Sequence, residues 1–226
     1  PFSDQSLLSH VGSKDHREVA REAVRKSMVL LKNENNILPI PKSGKTIIVA
    51  GKGADDVGMQ SGGWTISWQG GMGQTTNGTT ILDAIKSAVD PGTVVEYTPD
   101  GTSFTGDLAV VVVGEKPYAE MIGDRKDLKL DNEDLEVIKR FTDNDIPVVV
   151  VLLSGRPMIV TDEIGKWDGF IAAWLPGTEG TGVADVLFGD YKPTGKLSFS
   201  WPKSMNQFPI DPNDDHLFSF GFGLTY

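Results

Sequence analysis

Glu120 is the residue whose type and position best suit chemistry. It lies in the segment Tyr118-Ala-Glu-Met-Ile-Gly-Asp124, a few residues beyond a strongly apolar run. Nearby aromatic side chains such as Trp68 and Tyr118 could remove water from a carboxyl group placed there. Burial raises the pKa of a carboxyl group, and a raised pKa suits a general acid. The alternative interpretation is a solvated surface glutamate without a chemical role.

Two tryptophans, Trp64 and Trp68, lie four residues apart in the glycine-rich segment GGWTISWQGG. Ordering a loop with this much glycine costs conformational entropy. Flat indole rings in such a loop suit stacking against the apolar face of a sugar ring. Indole rings also fill core space beneath loops, and the spacing alone leaves both interpretations open.

The segment GKGADDVG, which starts at Gly51, partly matches a dinucleotide-binding fingerprint. Its third glycine is Gly58, two residues later than the fingerprint requires. Asp55 and Asp56 occupy the phosphate end, where two carboxylates would repel a pyrophosphate. A nucleotide-binding α/β protein is therefore disfavoured, and a tight strand-to-helix turn is the preferred interpretation.

The remaining reactive side chains do not form a recognisable centre. The histidines His10, His16 and His216 are widely separated, so metal ligation is not expected, and the absence of cysteine excludes disulfides and thiolate chemistry. Ser154 has neither the flanking glycines of a nucleophile elbow nor an obvious histidine partner, which disfavours a serine hydrolase. We expect neither a cofactor nor a metal ion.

Five apolar runs predict the strands that position these loops. They are Thr46–Ala50, Thr93–Tyr97, Leu108–Val113, Pro147–Leu153 and Gly169–Trp174, and Leu197–Trp201 is a candidate sixth strand. Continuous hydrophobicity is typical of a parallel sheet that is covered on both faces by helices. The sequence thus predicts an α/β fold, a three-layer sandwich around a mainly parallel sheet of about six strands.

Four segments with helical periodicity alternate with these runs. They are Asp15–Lys32, Thr80–Val89, Asp131–Phe141 and Gly182–Phe188. Asp15 and Glu18 have capping-box spacing at the start of the first helix. Ligands of parallel α/β sheets gather beyond the carboxyl ends of the strands. We therefore expect the loops that carry Trp68 and Glu120 to lie at the same edge of the sheet.

The composition excludes several classes of partner. The 226 residues include 21 basic and 31 acidic side chains, which give a formal charge of −10 and an isoelectric point near 4.7. Nucleic acids and anionic membranes bind clustered Lys and Arg, so neither is an expected partner. The chain also contains no apolar run of about 18 residues and no signal-peptide pattern.

The chain is interpreted as one domain, residues 15–226, preceded by a linker segment, residues 1–14. Its first residue is Pro1 rather than Met, which indicates a piece of a longer polypeptide. A targeting segment could then lie upstream.

Six segments together resemble one known family. They are HREVAREAVRKSMVLLKNENNILPI, GGWTISWQG, VGEKPYAEMIGD, LLSGRP, AAWLPGTEGTGVADVLFGDYKPTGKLSFSWP and FSFGFGLTY. They closely resemble the C-terminal α/β sandwich domain of family 3 of the glycoside hydrolases, from about residue 15 to the end. Within that family, the tryptophan loop and the YAEMIGD stretch are most similar to the exo-acting β-glucan glucohydrolases of cereals and their bacterial counterparts.

The resemblance implies a role for each candidate residue. By position in the motifs, Glu120 corresponds to the acid/base glutamate and Trp68 to the sugar-stacking tryptophan. In such enzymes an N-terminal barrel domain supplies the aspartate nucleophile from a Ser-Asp-Trp motif. That motif is absent here, since the only Ser-Asp pair is Ser3-Asp4, and the barrel domain's Lys-His pair is absent too.

The resemblance thus implies that this chain supplies one half of an active site. A retaining glycosidase needs two carboxyl groups about 5–5.5 Å apart, so the isolated chain is expected to be inactive without the nucleophile domain. The implied substrates are β-glucosides or β-glucan oligosaccharides, and the implied reaction is hydrolysis of terminal β-D-glucosyl residues. A non-catalytic carbohydrate-binding module is the alternative. The acidic composition fits a secreted or periplasmic enzyme.

Overall fold

One six-stranded sheet forms the centre of the protein. The computed structural model describes residues 2–103 and 105–226, so Pro1 of the predicted linker lies outside it. The strands are β1 (Val29–Asn33), β2 (Thr46–Ala50), β3 (Val94–Tyr97), β4 (Leu108–Gly114), β5 (Val148–Leu153) and β6 (Gly169–Trp174). Their order is β1-β6-β5-β4-β2-β3, and only β1 runs antiparallel to its neighbour.

Helices cover both faces of this sheet. They are α1 (Lys14–Ser27), α2 (Val57–Ser61), α3 (Ile81–Ala88), α4 (Asn132–Thr142) and α5 (Gly180–Phe188). In β4, Val110 and Val112 belong to the core that contains residues of α1, α3 and α5. Val111 and Val113 belong to the opposite core, which contains residues of α4. The predicted three-layer α/β sandwich is confirmed, and burial on both faces explains the continuous apolar runs.

The first predicted helix, Asp15–Lys32, is too long. Helix α1 ends at Ser27, and strand β1 begins at Val29 and pairs with β6. The apolar run at the start of β1 is buried within the sheet, so tertiary pairing overrides the helical periodicity. The N-cap of α1 is Ser13, whose Oγ accepts a hydrogen bond from the His16 backbone N–H, rather than Asp15.

The predicted sixth strand, Leu197–Trp201, is also wrong. Leu197 N–H donates to Phe222 O at 2.9 Å and Trp201 N–H donates to Phe218 O at 2.7 Å, so this segment pairs with the C-terminal segment and not with the sheet. The Trp201 indole is fully buried and donates to Met158 O at 2.8 Å. The sheet has six strands, as expected, but the sixth strand is β1 and not Leu197–Trp201.

The C-terminal segment closes one edge of the sheet. Leu224 forms an antiparallel bridge with Leu30 of β1, and its N–H donates to Leu30 O at 2.8 Å. The Tyr226 hydroxyl donates to the backbone around α5, with Tyr191 O at 3.2 Å. By contrast, the 3-10 helix Gln5–His10 in the predicted linker buries no residue, and the linker role of residues 1–14 stays a prediction.

Two glycines let the strand ends approach one another. A Cβ atom on Gly51 would lie 2.2 Å from Val112 O, and one on Gly114 would lie 1.8 Å from Leu153 O. Both residues also have a positive φ, which disfavours a side chain. The carboxyl ends of β2, β4 and β5 are thereby brought together, and the loops that leave them share one edge.

Candidate active site

The tryptophan loop, residues 62–73, follows α2, and Asp56 ties the C-terminal end of the loop to the start of that helix. This buried aspartate is the N-cap of α2, and its Oδ1 accepts from Met59 N–H at 2.7 Å and from Gly73 N–H at 2.8 Å. Its carboxylate thus occupies the helix start where a phosphate would have to bind. This geometry supports the tight-turn interpretation of GKGADDVG over nucleotide binding.

Both tryptophans of this loop are exposed. Trp64 is 69% exposed and Trp68 is 49% exposed, with ring centroids 6.2 Å apart and planes tilted by 52°. The interpretation as core filler is therefore wrong. Trp64 and Ile66 have φ values of 60° and 63°. Such left-handed conformations are unfavourable for large and β-branched side chains, and they cluster at functional sites.

The acid loop, residues 115–124, leaves β4 and carries Glu120. A short 3-10 turn spans Glu120–Gly123, and Glu120 itself has a φ of 52°. The Glu120 side chain is exposed, as are its neighbours Met121 and Ile122. The expected desolvation of Glu120 by Trp68 and Tyr118 is therefore not observed, and the Tyr118 hydroxyl donates to Glu115 Oε2 at 3.0 Å. The described part of the chain therefore leaves the Glu120 carboxyl group open to solvent.

The tryptophan loop and the acid loop are in direct contact. Ala119 N–H donates to Gln69 Oε1 at 2.8 Å, which joins the residue after Trp68 to the residue before Glu120. The backbones also approach so closely that a Cβ atom on Gly63 would lie 2.1 Å from Tyr118 O. Trp68 and Glu120 are therefore carried at the same edge of the sheet, as their positions after β2 and β4 predict.

A group of charged and polar side chains surrounds the buried Glu115 carboxylate beneath the acid loop, and the sequence analysis missed it. We call Glu115, Tyr118, Arg125, Ser154 and Arg156 the Glu115 cluster. Glu115 is only 7% exposed and accepts from Arg156 Nη2 at 2.6 Å. Arg125 adds a longer ion pair at 3.7 Å, and the Arg156 guanidinium lies 4.7 Å from the Tyr118 ring centroid.

The hydrogen bonds of the Glu115 cluster have clear electrostatic causes. Burial and the adjacent Glu115 charge raise the pKa of Tyr118 to about 12, so its hydroxyl keeps the proton that it donates. The Ser154 hydroxyl lies 2.7 Å from Glu115 Oε2 and 2.8 Å from Arg156 O. Ser154 is thus engaged in the cluster, which agrees with the prediction against a serine nucleophile.

A cleft of about 190 Å³ separates the tryptophan loop from the ends of β4 and β5. Gly62, Gly63, Lys116, Pro117, Gly155 and Leu175 line it together with Glu115, Tyr118 and Ser154. The Glu115 carboxylate at this cleft is fully paired, since its oxygens accept hydrogen bonds from Arg156, Ser154 and Tyr118. Glu115 therefore offers no free carboxylate for nucleophilic attack, whereas Glu120 remains open to a ligand.

The described residues hold no arrangement suited to a metal centre or a membrane span. Across residues 2–103 and 105–226, no three His, Asp or Glu side chains are grouped so that they could bind a metal ion. Within those same ranges, no helix has the length and apolar character needed to cross a bilayer.

Comparison with known proteins identifies the relatives of this chain. Residues 28–226 match the model of the glycosyl hydrolase family 3 C-terminal domain. A periplasmic β-glucosidase of Salmonella typhimurium is 30% identical over 288 residues, and the match covers 100% of this chain and 37% of that protein. A β-xylosidase of Formosa agariphila is 32% identical over 252 residues, with coverage of 95% and 34%. The chain thus spans about a third of the length of these relatives.

A solved structure agrees with this relationship. The exo-1,3/1,4-β-glucanase ExoP from a Pseudoalteromonas species is 46% identical, with a TM-score of 0.88 over 95% of this chain and 29% of that one. Fold and sequence similarity therefore extend over nearly the whole chain. Since the family model also covers most of it, this chain belongs to glycosyl hydrolase family 3 and corresponds to the C-terminal domain of that family.

Proposed function

We propose that this chain is the second domain of a retaining β-glucosidase or exo-β-glucanase. In this proposal Glu120 is the general acid/base and Trp68 stacks on the sugar during hydrolysis of terminal β-D-glucosyl residues. The observation that carries it is the contact between the two loops, Ala119 N–H to Gln69 Oε1, which holds an exposed carboxyl group and an exposed indole at one sheet edge. The names of the relatives support the reaction class.

The chemistry of this reaction divides between two carboxyl groups. One attacks the anomeric carbon, and the other protonates the leaving oxygen and later deprotonates water, at a separation of about 5–5.5 Å. Glu120 suits the second role because nothing in the described chain covers it or forms an ion pair with it. The nucleophile would come from an N-terminal barrel domain, and substrate bound between the domains would shield the Glu120 carboxyl group from water.

A non-catalytic carbohydrate-binding module is the second candidate. The exposed tryptophan pair favours it, because solvent-facing indole rings offer flat apolar area for a sugar ring, and stacking needs no catalytic group. The two functions differ in what they require of Glu120. A binding module requires Trp68, but its affinity for sugar does not depend on whether Glu120 can donate a proton.

Reconstitution in trans separates the two candidates. The chain is mixed with a separately produced barrel domain, and hydrolysis of an aryl β-glucoside is followed. We expect hydrolysis only when both domains are present, and none when the chain carries Glu120→Gln. Hydrolysis by the barrel domain alone at the same rate would support the binding module, and hydrolysis by the chain alone would contradict the division of the two carboxyl groups.

The proposed substrates are β-glucosides or β-glucan oligosaccharides, and the proposed location is secreted or periplasmic. ExoP is named as a glucanase and the Salmonella relative as periplasmic, which supports both proposals. The Formosa relative is named as a xylosidase, so the decisive assay compares matched aryl β-glucosides and β-xylosides. Higher kcat/KM for the xyloside would contradict the glucoside proposal, and activity confined to the cytosolic fraction of the source cells would contradict the location.

A further inference from the structure

The Tyr118 ring lies at the centre of the acid loop. A Cβ atom on Gly123 would lie 2.1 Å from Tyr118 Cδ2, so the turn Glu120–Gly123 is packed directly on the ring with no space for a side chain. Ala119, between Tyr118 and the turn, is buried. The position of the Glu120 backbone therefore follows the position of the Tyr118 ring.

The ring in turn is held by the sheet through Glu115. The Tyr118 hydroxyl donates to Glu115 Oε2, and Arg156 covers the ring at 4.7 Å. Glu115 is the first residue after β4, and its N–H donates to Leu153 O at the end of β5. Its carboxylate binds Ser154 and Arg156, which follow β5. A continuous set of contacts thus runs from two central strands to the acid turn.

Packing the acid loop onto the sheet does not by itself require a buried, charged carboxylate such as Glu115. Burying a carboxylate is costly unless it is well paired, and apolar packing of similar volume often stabilises a fold equally well. A buried charge with directed hydrogen bonds does, however, define one geometry for its partners. The strained φ of Glu120 likewise needs surroundings that hold it in place.

We infer that Glu115 is a positioning residue for Glu120, because its buried carboxylate fixes the Tyr118 ring on which the acid turn is packed. The inference rests on the proposed function of Glu120. Glu115 does not touch the reacting atoms in this role. It sets the distance and direction from the acid carboxyl group to the glycosidic oxygen.

The test uses the complete enzyme, with this chain joined to its barrel domain, and the variants Glu115→Gln and Tyr118→Phe. The first keeps the shape of the side chain but removes the charge, and the second removes only the hydroxyl that Glu115 accepts from. Misplacing a catalytic group by about 1 Å costs roughly 10²-fold in rate. We expect Glu115→Gln to lower kcat for a poor leaving group by about 10- to 100-fold, with a smaller loss for an activated aryl glucoside and little change in KM.

Asp185→Asn is the matched control. Asp185 is another buried carboxylate paired with two arginines, Arg21 and Arg25, but it joins α5 to α1 and contacts neither loop of the site. Its loss should lower the melting temperature and leave the ratio of kcat values for the two substrates unchanged. A merely structural role for Glu115 would produce the same pattern as this control.

The outcomes are distinct. The inference is overturned if Glu115→Gln and Tyr118→Phe lower the melting temperature but leave both kcat values unchanged, or lower both equally. If Glu115→Gln does not fold, Tyr118→Phe decides by the same criterion. Glu120→Gln is measured in parallel, and if it lacks the dependence on the leaving group, the proposed function fails and not merely the role of Glu115.

Discussion

Glu120 combines an exposed carboxyl group with a left-handed backbone on a turn that is tightly packed from below. The side chain is therefore accessible while its attachment point is fixed. This combination suits the proposed proton transfer, because a general acid has to be held at a fixed distance and direction from the substrate. Trp68 is a complementary case, since its ring is half-exposed and its loop is anchored by Asp56.

The complete enzyme with Glu120→Gln should retain sugar binding and lose most turnover. The amide keeps the shape of the side chain but cannot titrate, and general acid/base catalysis contributes about 10²- to 10⁴-fold. Aryl glucosides with acidic leaving groups need little protonation, so their loss should be smaller. Steady-state kcat for a series of leaving groups measures this, and an equal loss across the series would remove Glu120 from the acid role.

Trp68→Ala in the complete enzyme should weaken binding more than stability. An aromatic contact of about 0.5–1.5 kcal/mol corresponds to roughly tenfold weaker inhibitor binding at most, and a half-exposed ring contributes little to the core. Trp201→Ala is the control, because that ring is fully buried and its loss should cost about 3–5 kcal/mol. The inhibitor Kd and the melting temperature are measured on both variants. A large drop in melting temperature with unchanged Kd for Trp68→Ala would make it a packing residue.

At the scale of elements, the two loops form one packed unit because their backbones touch. Gly63→Ala should push the tryptophan loop away from the acid loop, since the new Cβ atom would lie 2.1 Å from Tyr118 O. We expect kcat/KM to fall by up to about 10²-fold.

Gly71→Ala in the same loop is the matched control for Gly63→Ala. Its Cβ atom would meet only Thr75 Cγ2, at 3.5 Å, and neither glycine has a positive φ. Activity of the Gly71 variant should stay near that of the unmodified enzyme. Equal effects of the two substitutions would show that the loops need not stay in contact.

The elements that the sequence predicts well are those whose pattern reflects burial. The hydrophobic pattern places both ends of each of the five parallel strands within one residue, and the central strands are buried on both faces. It misses strand β1 because Val29–Leu31 continues the apolar periodicity of the preceding helix, and only the pairing with β6 resolves that ambiguity. It misassigns Leu197–Trp201 because the partner of that segment is the distant C-terminal segment.

Part of the candidate site can likewise be predicted from the sequence, and part of it cannot. The edge shared by Trp68 and Glu120 follows from the rule on strand ends. The Glu115 cluster does not, because Glu115 and Arg156 are 41 residues apart. Their contact depends on β4 lying beside β5, and a single sequence does not specify the strand order. The available signal is a pair of opposite charges two or three residues beyond two apolar runs, Glu115 after Val113 and Arg156 after Leu153.

At the scale of the whole molecule, the proposed active site is complete only when two domains meet. A linker that joins them gives an effective concentration in the millimolar range. Separately produced domains should therefore reach a lower rate at micromolar concentration, and the rate should rise and saturate as this chain is added. Titrating the chain against a fixed amount of barrel domain measures this. A rate independent of the added chain would contradict the two-domain site.

The bridge between Leu224 and Leu30 also bears on solubility. It occupies the open side of β1, and unpaired edge strands with apolar side chains associate with other chains. Removing residues 221–226 should therefore produce oligomers and aggregates, visible by light scattering, at concentrations where the intact chain stays dispersed. Removing residues 2–12, which bury no side chain, should not. This prediction assigns residues 221–226 a role in protecting the β1 edge from self-association, which is separate from catalysis.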